Sequence, residues 1–209
     1  MWLILLLLIA YALGSLPTSI IAGKTLRGID IREHGSRNPG ATNTFRVLGW
    51  KIGVSVGLID ILKGFLAVTV LPAILPVDPW TSPEARSILA GLAAVAGHVW
   101  TVFAGFQGGK GVGTAFGVFL GLAPLPSLIA AGVWLALTFG TGYVSVGSIA
   151  AAAVLPLSVI ALGIYRGDLS LPVAAISALV GMLVILRHRQ NISRLLRGEE
   201  NRFGKRGKA

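Results

Sequence analysis

The 209-residue sequence contains no cysteine and few charged side chains, and both shortages narrow what the protein can be. Without cysteine there is no disulfide, no zinc–thiolate site and no cysteine nucleophile. Charged residues make up 12% of the chain, whereas soluble domains usually carry about 25%. Hydrophobic residues make up 54%, and the mean hydropathy is +0.80. The composition predicts an all-α polytopic membrane protein that forms a single domain over residues 1–209.

Acidic residues are scarcer than basic ones, 8 against 18, which gives a net charge of +10. In a soluble protein this excess would suggest a nucleic-acid partner. Here fifteen of the 18 basic residues lie in segment 23–51, at Lys110 and in the tail from Arg187. The positive-inside rule therefore explains the charge, places these segments in the cytoplasm and argues against nucleic acid. The N-terminus is then outside and the C-terminus inside.

Familiar catalytic motifs are also absent. GxSxG occurs once, at residues 53–57, but inside an apolar segment and not at a strand-to-helix turn, so it is no nucleophile elbow. There is no HExxH sequence and no His followed at the fifth position by Asp, the motif of many glycerolipid acyltransferases. No metal cluster or cofactor fingerprint is present either, so we expect neither a metal nor a cofactor. A reaction that depends on positioning and charge stabilisation fits this sequence better than one that needs a strong base. Transfer of an already activated group is such a reaction.

Seven apolar segments predict seven transmembrane helices. The first is broken near Pro17 and has no basic residue before it, so we expect a retained helix rather than a cleaved signal peptide. The two halves around Pro124 and Pro126 are only about 13 residues each, whereas a span needs about 20. They form either two short spans or a re-entrant hairpin, and both preserve the sidedness. The segments are 2–22, 52–76, 86–104, the two halves of 112–139, a helix that ends near 165, and 171–186.

The second segment contains Asp60 and Lys63, which the i, i+3 spacing places on one helix face as a pair. Ionisable residues inside a membrane segment are usually functional. The alternative is that the helix starts late and both residues lie at the membrane interface, with Lys63 reaching back to water. His98, near the inner end of the third segment, is expected to form a hydrogen bond within the bundle.

A glycine-rich stretch follows His98. Gly108, Gly109, Gly111 and Gly113 surround Lys110, and an apolar helix is predicted to begin near Val112. Exposed N–H groups and the positive end of the helix dipole together predict an anion site, most naturally for phosphate. It is not a Walker A loop, because glycine follows the lysine and no strand precedes it. The alternative is a flexible turn between two helices.

Three more polar segments are predicted on the same cytoplasmic side. They are the loop 23–51, whose central part is 36–46, a glycine- and hydroxyl-rich turn at 140–148, and the tail stretch 188–194. Small residues at 140–148 also suit ordinary helix packing. Together with the stretch around Lys110, these segments predict one strongly positive site for more than one phosphate.

Five sequence motifs in order, at 14–17, 34–43, 60–64, 97–111 and 188–194, resemble the PlsY family of bacterial acyl-phosphate-dependent glycerol-3-phosphate acyltransferases. The resemblance covers nearly the whole chain. It implies a seven-span inner-membrane enzyme with its active site on the cytoplasmic face. The implied reaction moves a fatty acyl group from acyl phosphate to the 1-hydroxyl of sn-glycerol 3-phosphate, giving lysophosphatidic acid and phosphate, the first step of phospholipid synthesis. It further implies substrate-assisted catalysis without an acyl-enzyme.

The resemblance also implies site residues. The predicted catalytic residues are Ser36, Lys110 and His188. Two positions depart from the family pattern: Thr101 stands where proline is common, and Gln107 where lysine is common, which puts Gln107 in doubt as a phosphate ligand. We expect a monomer in contact with membrane lipid. The predicted ligands of glycerol 3-phosphate are Ser36, Arg46, Lys110, His188 and Asn191, and those of acyl phosphate are Thr42, Asn43, Gly108, Gly109, Gly111, Val112 and Gly113.

Two other functions are compatible with the composition. A small transporter of a phosphorylated solute would suit the short helices and the charged pair, although no internal repeat is visible. A membrane scaffold whose basic loops bind lipid headgroups would leave the specific serine, asparagine and glycine positions unexplained.

Overall fold

A computed structural model describes residues 1–202, and within them the chain is helical, with no β-strand. The chain divides into two compact units, residues 1–122 and residues from 123 onward. The predicted all-α membrane fold is thereby supported at the level of secondary structure. The single domain predicted over 1–209 stays a prediction.

The first unit contains seven α-helices and two short 3-10 helices. Helices α1 and α2 are separated at Leu16 and Pro17, the break that the sequence predicted. The helices are α1 Trp2–Ser15, α2 Thr18–Arg27, α3 Ala41–Leu48, α4 Trp50–Thr69, α5 Leu71–Ile74, α6 Pro83–Val99 and α7 Val112–Leu122, and the 3-10 helices are Ile31–Glu33 and Val102–Ala104.

Close helix packing organises this unit. Helix α1 lies against α6, and α4 lies against both α6 and α7. Gly14 meets the backbone of Ala94, and Gly64 meets the backbone of Thr114, so a side chain at either glycine would overlap the neighbouring helix. Small residues at such crossings let membrane helices approach closely. The apolar core between α1, α4 and α6 contains Leu6, Ala10, Ala67, Ala90 and Ala94.

The described part of the second unit, residues 123–202, contains four helices, of which α8 packs on α9 and α9 on α10. Gly147 of α9 lies against Trp134 and Thr138 of α8, and Gly181 of α10 lies against the backbone of Ala152. Residue 188 separates the last two helices, which are bent by 53°. The helices are α8 Pro124–Thr141, α9 Val144–Arg166, α10 Leu171–Arg187 and α11 Arg189–Leu196.

Every predicted apolar segment is helical, but the helices differ in length. Within residues 1–202, five helical stretches are long and apolar enough to cross a membrane, if α1 and α2 are counted as one stretch and α4 and α5 as another. There are up to six if α10 and α11 form one bent span. Helix α7, with 11 residues, is short, as predicted. Helix α8 is longer than the predicted half, because its 18 residues continue to Thr141 before Gly142 ends it in the left-handed conformation.

Two predicted loops are partly helical. The loop prediction was wrong for 41–48, which form α3, an amphipathic helix that buries Asn43, Thr44 and Leu48. The turn predicted at 140–148 is present but shorter, because only Gly142 and Tyr143 lie between α8 and α9. Alternating polar and small residues hide a short helix in a sequence, because the buried face spans only two turns.

Candidate functional site

The glycine loop, residues 105–113, folds back along the end of α6. Gly105 and Phe106 both have positive φ angles, 64° and 61°, which reverse the chain. The N–H of Gly108 then donates to the carbonyl of Val99, and the N–H of Gly109 donates to the carbonyl of His98, both at 3.1 Å. The prediction that these two N–H groups are exposed was therefore wrong, since they complete the hydrogen bonding of the α6 terminus.

Gly108 and Gly109 are required for this close approach. A Cβ atom at Gly108 would overlap the carbonyl of His98, and one at Gly109 would overlap the imidazole Nε2 of His98. Both glycines are buried, whereas Lys110 beside them is partly exposed. The loop thus presents the lysine from a rigid, tightly packed backbone.

The N–H groups that remain for binding an anion lie after Lys110, where α7 begins. Gly111 has φ 87°, a conformation that favours glycine. Within residues 1–202, no backbone or side-chain acceptor pairs with the N–H groups of Gly111, Val112 or Gly113. Such first-turn N–H groups, together with the helix dipole, form an anion site.

The polar segment, residues 28–48, is held in shape by Asn43 on α3. The Asn43 Oδ1 accepts the N–H of Ser36 at 2.8 Å, and its Nδ2 donates to the carbonyls of His34 and Ile31 at 2.9 and 3.2 Å. Asn43 is 1% exposed. Its amide therefore positions Ser36, and a direct contact with phosphate would cost these bonds. Thr42 and Arg46, on the same helix, are partly exposed.

Arg32 links the polar segment to the glycine loop. It forms an ion pair with Asp30 at 2.7 Å and donates to the carbonyl of Ala104 at 3.1 Å. The hydrogen bond from Arg32 lowers the pKa of the Asp30 carboxyl to about 2. Sequence reasoning missed this role, and the only signal was the alternation of Asp30 and Arg32 in a polar loop.

A small recess confirms that these two segments come together. It is enclosed by the break between α1 and α2, by Pro39 of the polar segment and by the glycine loop. The Thr101 hydroxyl, on its wall, donates to the carbonyl of Ser15. A proline at position 101 could not make that bond, so the departure from the family pattern adds a contact between the segment after α6 and the end of α1. The full lining is Leu16, Pro17, Thr18, Ser19, Ile20, Pro39, His98, Thr101, Gly108 and Gly109.

Asp60 and Lys63 form the predicted pair, with Lys63 Nζ 2.8 Å from Asp60 Oδ1. The alternative of a late helix start was wrong, because α4 begins at Trp50 and both side chains are buried. Lys63 also donates to the carbonyl of Leu16 at 3.1 Å, and the Thr18 hydroxyl donates to Asp60 Oδ1 at 2.9 Å. His98 Nδ1 lies 3.6 Å from the same oxygen.

In the second unit, His188 and Asn191 lie at the junction of α10 and α11. The carbonyl of Val184 can only accept, so the 2.8 Å contact with His188 Nδ1 places a proton on that nitrogen. Both side chains are buried. Asn191 Nδ2 donates to Glu200 at 2.6 Å.

Glu200 was missed as a structural partner of Asn191. Its carboxylate also accepts from Ser145 at 3.0 Å and from Arg194 at 2.7 Å. Burial raises the pKa of Glu200, but the hydrogen bonds from Asn191, Arg194 and Ser145 outweigh burial and hold it below its usual value. A glutamate in a basic tail gave no sequence signal for this. Across residues 1–202, no group of three or more His, Asp or Glu could hold a metal ion.

Comparison with known proteins identifies the family. The glycerol-3-phosphate acyltransferase family model matches residues 4–198. Glycerol-3-phosphate acyltransferase of Chlorobaculum parvum is 46% identical over 223 residues, which cover 95% of this chain and 96% of the relative. The enzyme of Chlorobaculum tepidum is also 46% identical, with 95% of each chain covered.

Solved structures agree with the sequence relatives. The glycerol 3-phosphate form of PlsY, an integral membrane glycerol 3-phosphate acyltransferase, matches with a TM-score of 0.85 at 39% identity, over 97% of this chain and 96% of that one. Its lysophosphatidic acid form matches with a TM-score of 0.81 at 38% identity, over 97% and 95%. These matches confirm a multi-pass membrane fold and the acyltransferase class predicted from the sequence. The chain belongs to the glycerol-3-phosphate acyltransferase family.

Proposed function

We propose that this protein transfers a fatty acyl group from acyl phosphate to the 1-hydroxyl of sn-glycerol 3-phosphate. The products are 1-acyl-glycerol 3-phosphate and inorganic phosphate, and the reaction is the first step of phospholipid synthesis. The observation that carries the proposal is that the polar segment, which contains Ser36, lies next to the glycine loop, and this loop leads into the N-terminus of α7. A basic, donor-rich site of this kind suits two phosphorylated substrates.

In this proposal Ser36, Arg46 and Lys110 hold glycerol 3-phosphate in the first unit. Lys110 and Arg46 neutralise its phosphate, and Ser36 donates or accepts a hydrogen bond at the glycerol end. His188 and Asn191 of the second unit are proposed ligands of the same substrate. The contact with the Val184 carbonyl fixes the orientation of the His188 imidazole, and the bond to Glu200 fixes that of the Asn191 amide. Side chains fixed in this way support a binding role. Ser36, Lys110 and His188 are the proposed catalytic residues.

Acyl phosphate is proposed to bind at the start of α7. The N–H groups of Gly111, Val112 and Gly113 and the hydroxyl of Thr42 are its proposed donors. Gly108 and Gly109 contribute by shape, because their N–H groups are already bonded to α6. Asn43 contributes by holding Ser36. Burying the acyl chain is worth about 0.8 kcal/mol per CH₂, so we place that chain in the bilayer or in an apolar groove.

The proposed mechanism needs no acyl-enzyme. The glycerol hydroxyl oxygen attacks the carbonyl carbon, the bond between that carbon and the bridging phosphate oxygen breaks, and phosphate leaves. A phosphate oxygen of the substrate accepts the hydroxyl proton. The carboxylates of Asp30, Asp60 and Glu200 are held in ion pairs with Arg32, Lys63 and Arg194, which makes each a weak base.

We further propose a monomeric, single-domain enzyme in a bacterial inner membrane, surrounded by lipid. Its seven spans would leave the N-terminus outside, and the C-terminus and active site in the cytoplasm. Because the chain has no cysteine, single cysteines introduced at exposed Glu33 and Trp80 report topology directly. A membrane-impermeant thiol reagent added to intact cells is expected to label Trp80→Cys only. Labelling of Glu33→Cys from outside would reverse the proposed orientation.

The decisive experiment uses purified protein in lipid, acyl phosphate and glycerol 3-phosphate, without coenzyme A or acyl carrier protein. We expect lysophosphatidic acid and phosphate in equal amounts. If acyl-coenzyme A supports the reaction and acyl phosphate does not, the proposed donor is wrong while the family activity stands. The alternative, a transporter of a phosphorylated solute, predicts uptake of glycerol 3-phosphate into proteoliposomes without any acylated product.

A further inference from the structure

The ion pair of Asp60 and Lys63 lies behind the recess rather than on its surface. Their side chains are 5% and 2% exposed, so neither is placed to contact a phosphate from the cytoplasm. A buried ion pair is seldom more stabilising than apolar residues of the same volume. Its contacts, rather than its contribution to stability, therefore indicate what the pair does.

One carboxylate oxygen, Asp60 Oδ1, joins three helices. Lys63 of α4 lies 2.8 Å from it, Thr18 of α2 donates to it at 2.9 Å, and His98 of α6 lies 3.6 Å away. Lys63 also donates to the carbonyl of Leu16, which lies in the break between α1 and α2. The pair thus ties that break to the end of α6.

The same cluster touches the backbone on both sides of Lys110. Before the lysine, the His98 carbonyl accepts the N–H of Gly109, and the imidazole packs directly against that glycine. After the lysine, a Cβ at Gly113 would lie 3.3 Å from the Cβ of Asp60. Asp60 therefore lies against the backbone that follows Lys110, and it reaches the backbone before Lys110 through His98.

We propose that Asp60 and Lys63, together with Thr18, are positioning residues that hold the glycine loop in its binding conformation. They contact no substrate and act through His98 and the first turn of α7. This inference rests on the proposed function of the loop, in which Lys110 and the N–H groups of α7 bind the two phosphates.

The first test separates positioning from stability. Asp60→Asn or Lys63→Met alone leaves a buried charge without its partner, and each is expected to lower the unfolding temperature strongly. The double variant removes both charges, so it is expected to regain most of that temperature. It still lacks the Lys63 bond to Leu16, and we expect its kcat/KM to stay roughly tenfold or more below wild type. A double variant that regains both stability and activity would overturn the proposal.

A milder variant keeps the test independent of folding. Thr18→Val removes only the hydroxyl that donates to Asp60. Thr25→Val is the matched control, because its hydroxyl lies on the same helix and donates only to the carbonyl of Ile21. We expect KM for a phosphorylated substrate to rise about threefold to tenfold in Thr18→Val, with an unchanged unfolding temperature, and no change in Thr25→Val.

Hydrogen exchange gives a readout that does not depend on the reaction. The Gly108 and Gly109 N–H groups are protected by their bonds to α6, and we expect faster exchange of peptides covering 105–113 in Thr18→Val and in the double variant, but not in Thr25→Val. Unchanged exchange in both variants refutes the positioning role whatever the activity. If exchange rises but wild-type protein forms no lysophosphatidic acid, the proposed function fails and the positioning role stands.

Discussion

Residues 105–113 and residues 140–148 are alike in glycine content but differ in structure. Both are rich in glycine, and both connect two apolar helices. In the first, Gly105 and Phe106 turn the chain back and the loop pairs with the end of α6. In the second, Gly142 ends α8 and α9 begins immediately at Val144.

The difference lies in what the glycines touch. Gly108 and Gly109 allow a loop to lie on a helix terminus and its histidine. Gly147 allows one helix to lie on another, against Trp134 and Thr138, whereas a Cβ at Gly140 would meet nothing within 4 Å among the described residues. Glycine therefore permits close backbone approach without requiring it. Only the atoms around each glycine distinguish a candidate binding loop from a surface on which helices pack.

The largest expected effect is at Lys110, the charged residue that the second region lacks. Lys110→Ala should lower kcat/KM by roughly a hundredfold to a thousandfold, because it removes a positive charge beside the transferring group. Initial rates with both substrates, normalised to protein level, measure this. Gln107→Ala, at an exposed neighbour, is the control and should stay close to wild type. Near-normal turnover in Lys110→Ala would remove the lysine from the site.

Gly109→Ala should have the next largest effect on activity. Its Cβ would overlap the imidazole of His98, so either the ring or the loop must move. A shift of the adjacent Lys110 by about 1 Å is enough to lower kcat/KM by up to roughly a hundredfold. Kinetics and thermal unfolding of the same preparation test this. Normal kinetics would show that the loop tolerates displacement and that its tight packing is not needed for binding.

Gly147→Ala should affect stability and leave catalysis intact. The new Cβ meets the Thr138 hydroxyl and the Trp134 carbonyl, and overpacking of this kind costs about 1–3 kcal/mol. We expect a lower unfolding temperature and unchanged kcat/KM for the folded fraction. A fall in kcat/KM at full stability would give 140–148 a role in binding and remove the contrast with 105–113.

Gly140→Ala should have the smallest effect. Gly140 lies in the last turn of α8 and is exposed, and within residues 1–202 an added Cβ would meet no atom within 4 Å. Alanine in a helix is favoured over glycine by about 0.5–1 kcal/mol, so the unfolding temperature should rise slightly or stay the same. Activity should not change. A clear loss of either would mean that this glycine has a contact of its own.

Much of the fold was predictable, because long apolar runs and helix-breaking residues act locally. The break before Pro17, the start of α7 at Val112 and the pairing of Asp60 with Lys63 all follow from residues close in sequence. Helix α3 was not predictable as a helix. Two of its three buried residues, Asn43 and Thr44, are polar, and polarity by itself indicates a loop.

The site was less predictable than the fold. Sequence patterns selected the stretch around Lys110 as the candidate site, but they did not show that the N–H groups of Gly108 and Gly109 are bonded to carbonyls of α6. They also missed Arg32, whose bond to Ala104 joins residues 72 positions apart, and Glu200, which binds Ser145 at a separation of 55. Contacts between distant residues depend on how helices pack, which no local pattern encodes.

The sequence alone determined that this is a helical membrane protein, and it predicted a basic site for phosphate, because hydropathy, charge asymmetry and glycine position are local properties. It also determined the family, through ordered motifs. Only the tertiary structure decided which polar groups form internal contacts. Asn43 holds Ser36 in the polar segment, and His98 holds Gly109 in the glycine loop. Asp60 lies against Gly113 after Lys110 and reaches the backbone before Lys110 through His98. A buried polar group must find a partner, and the packing of the helices determines which partner is within reach.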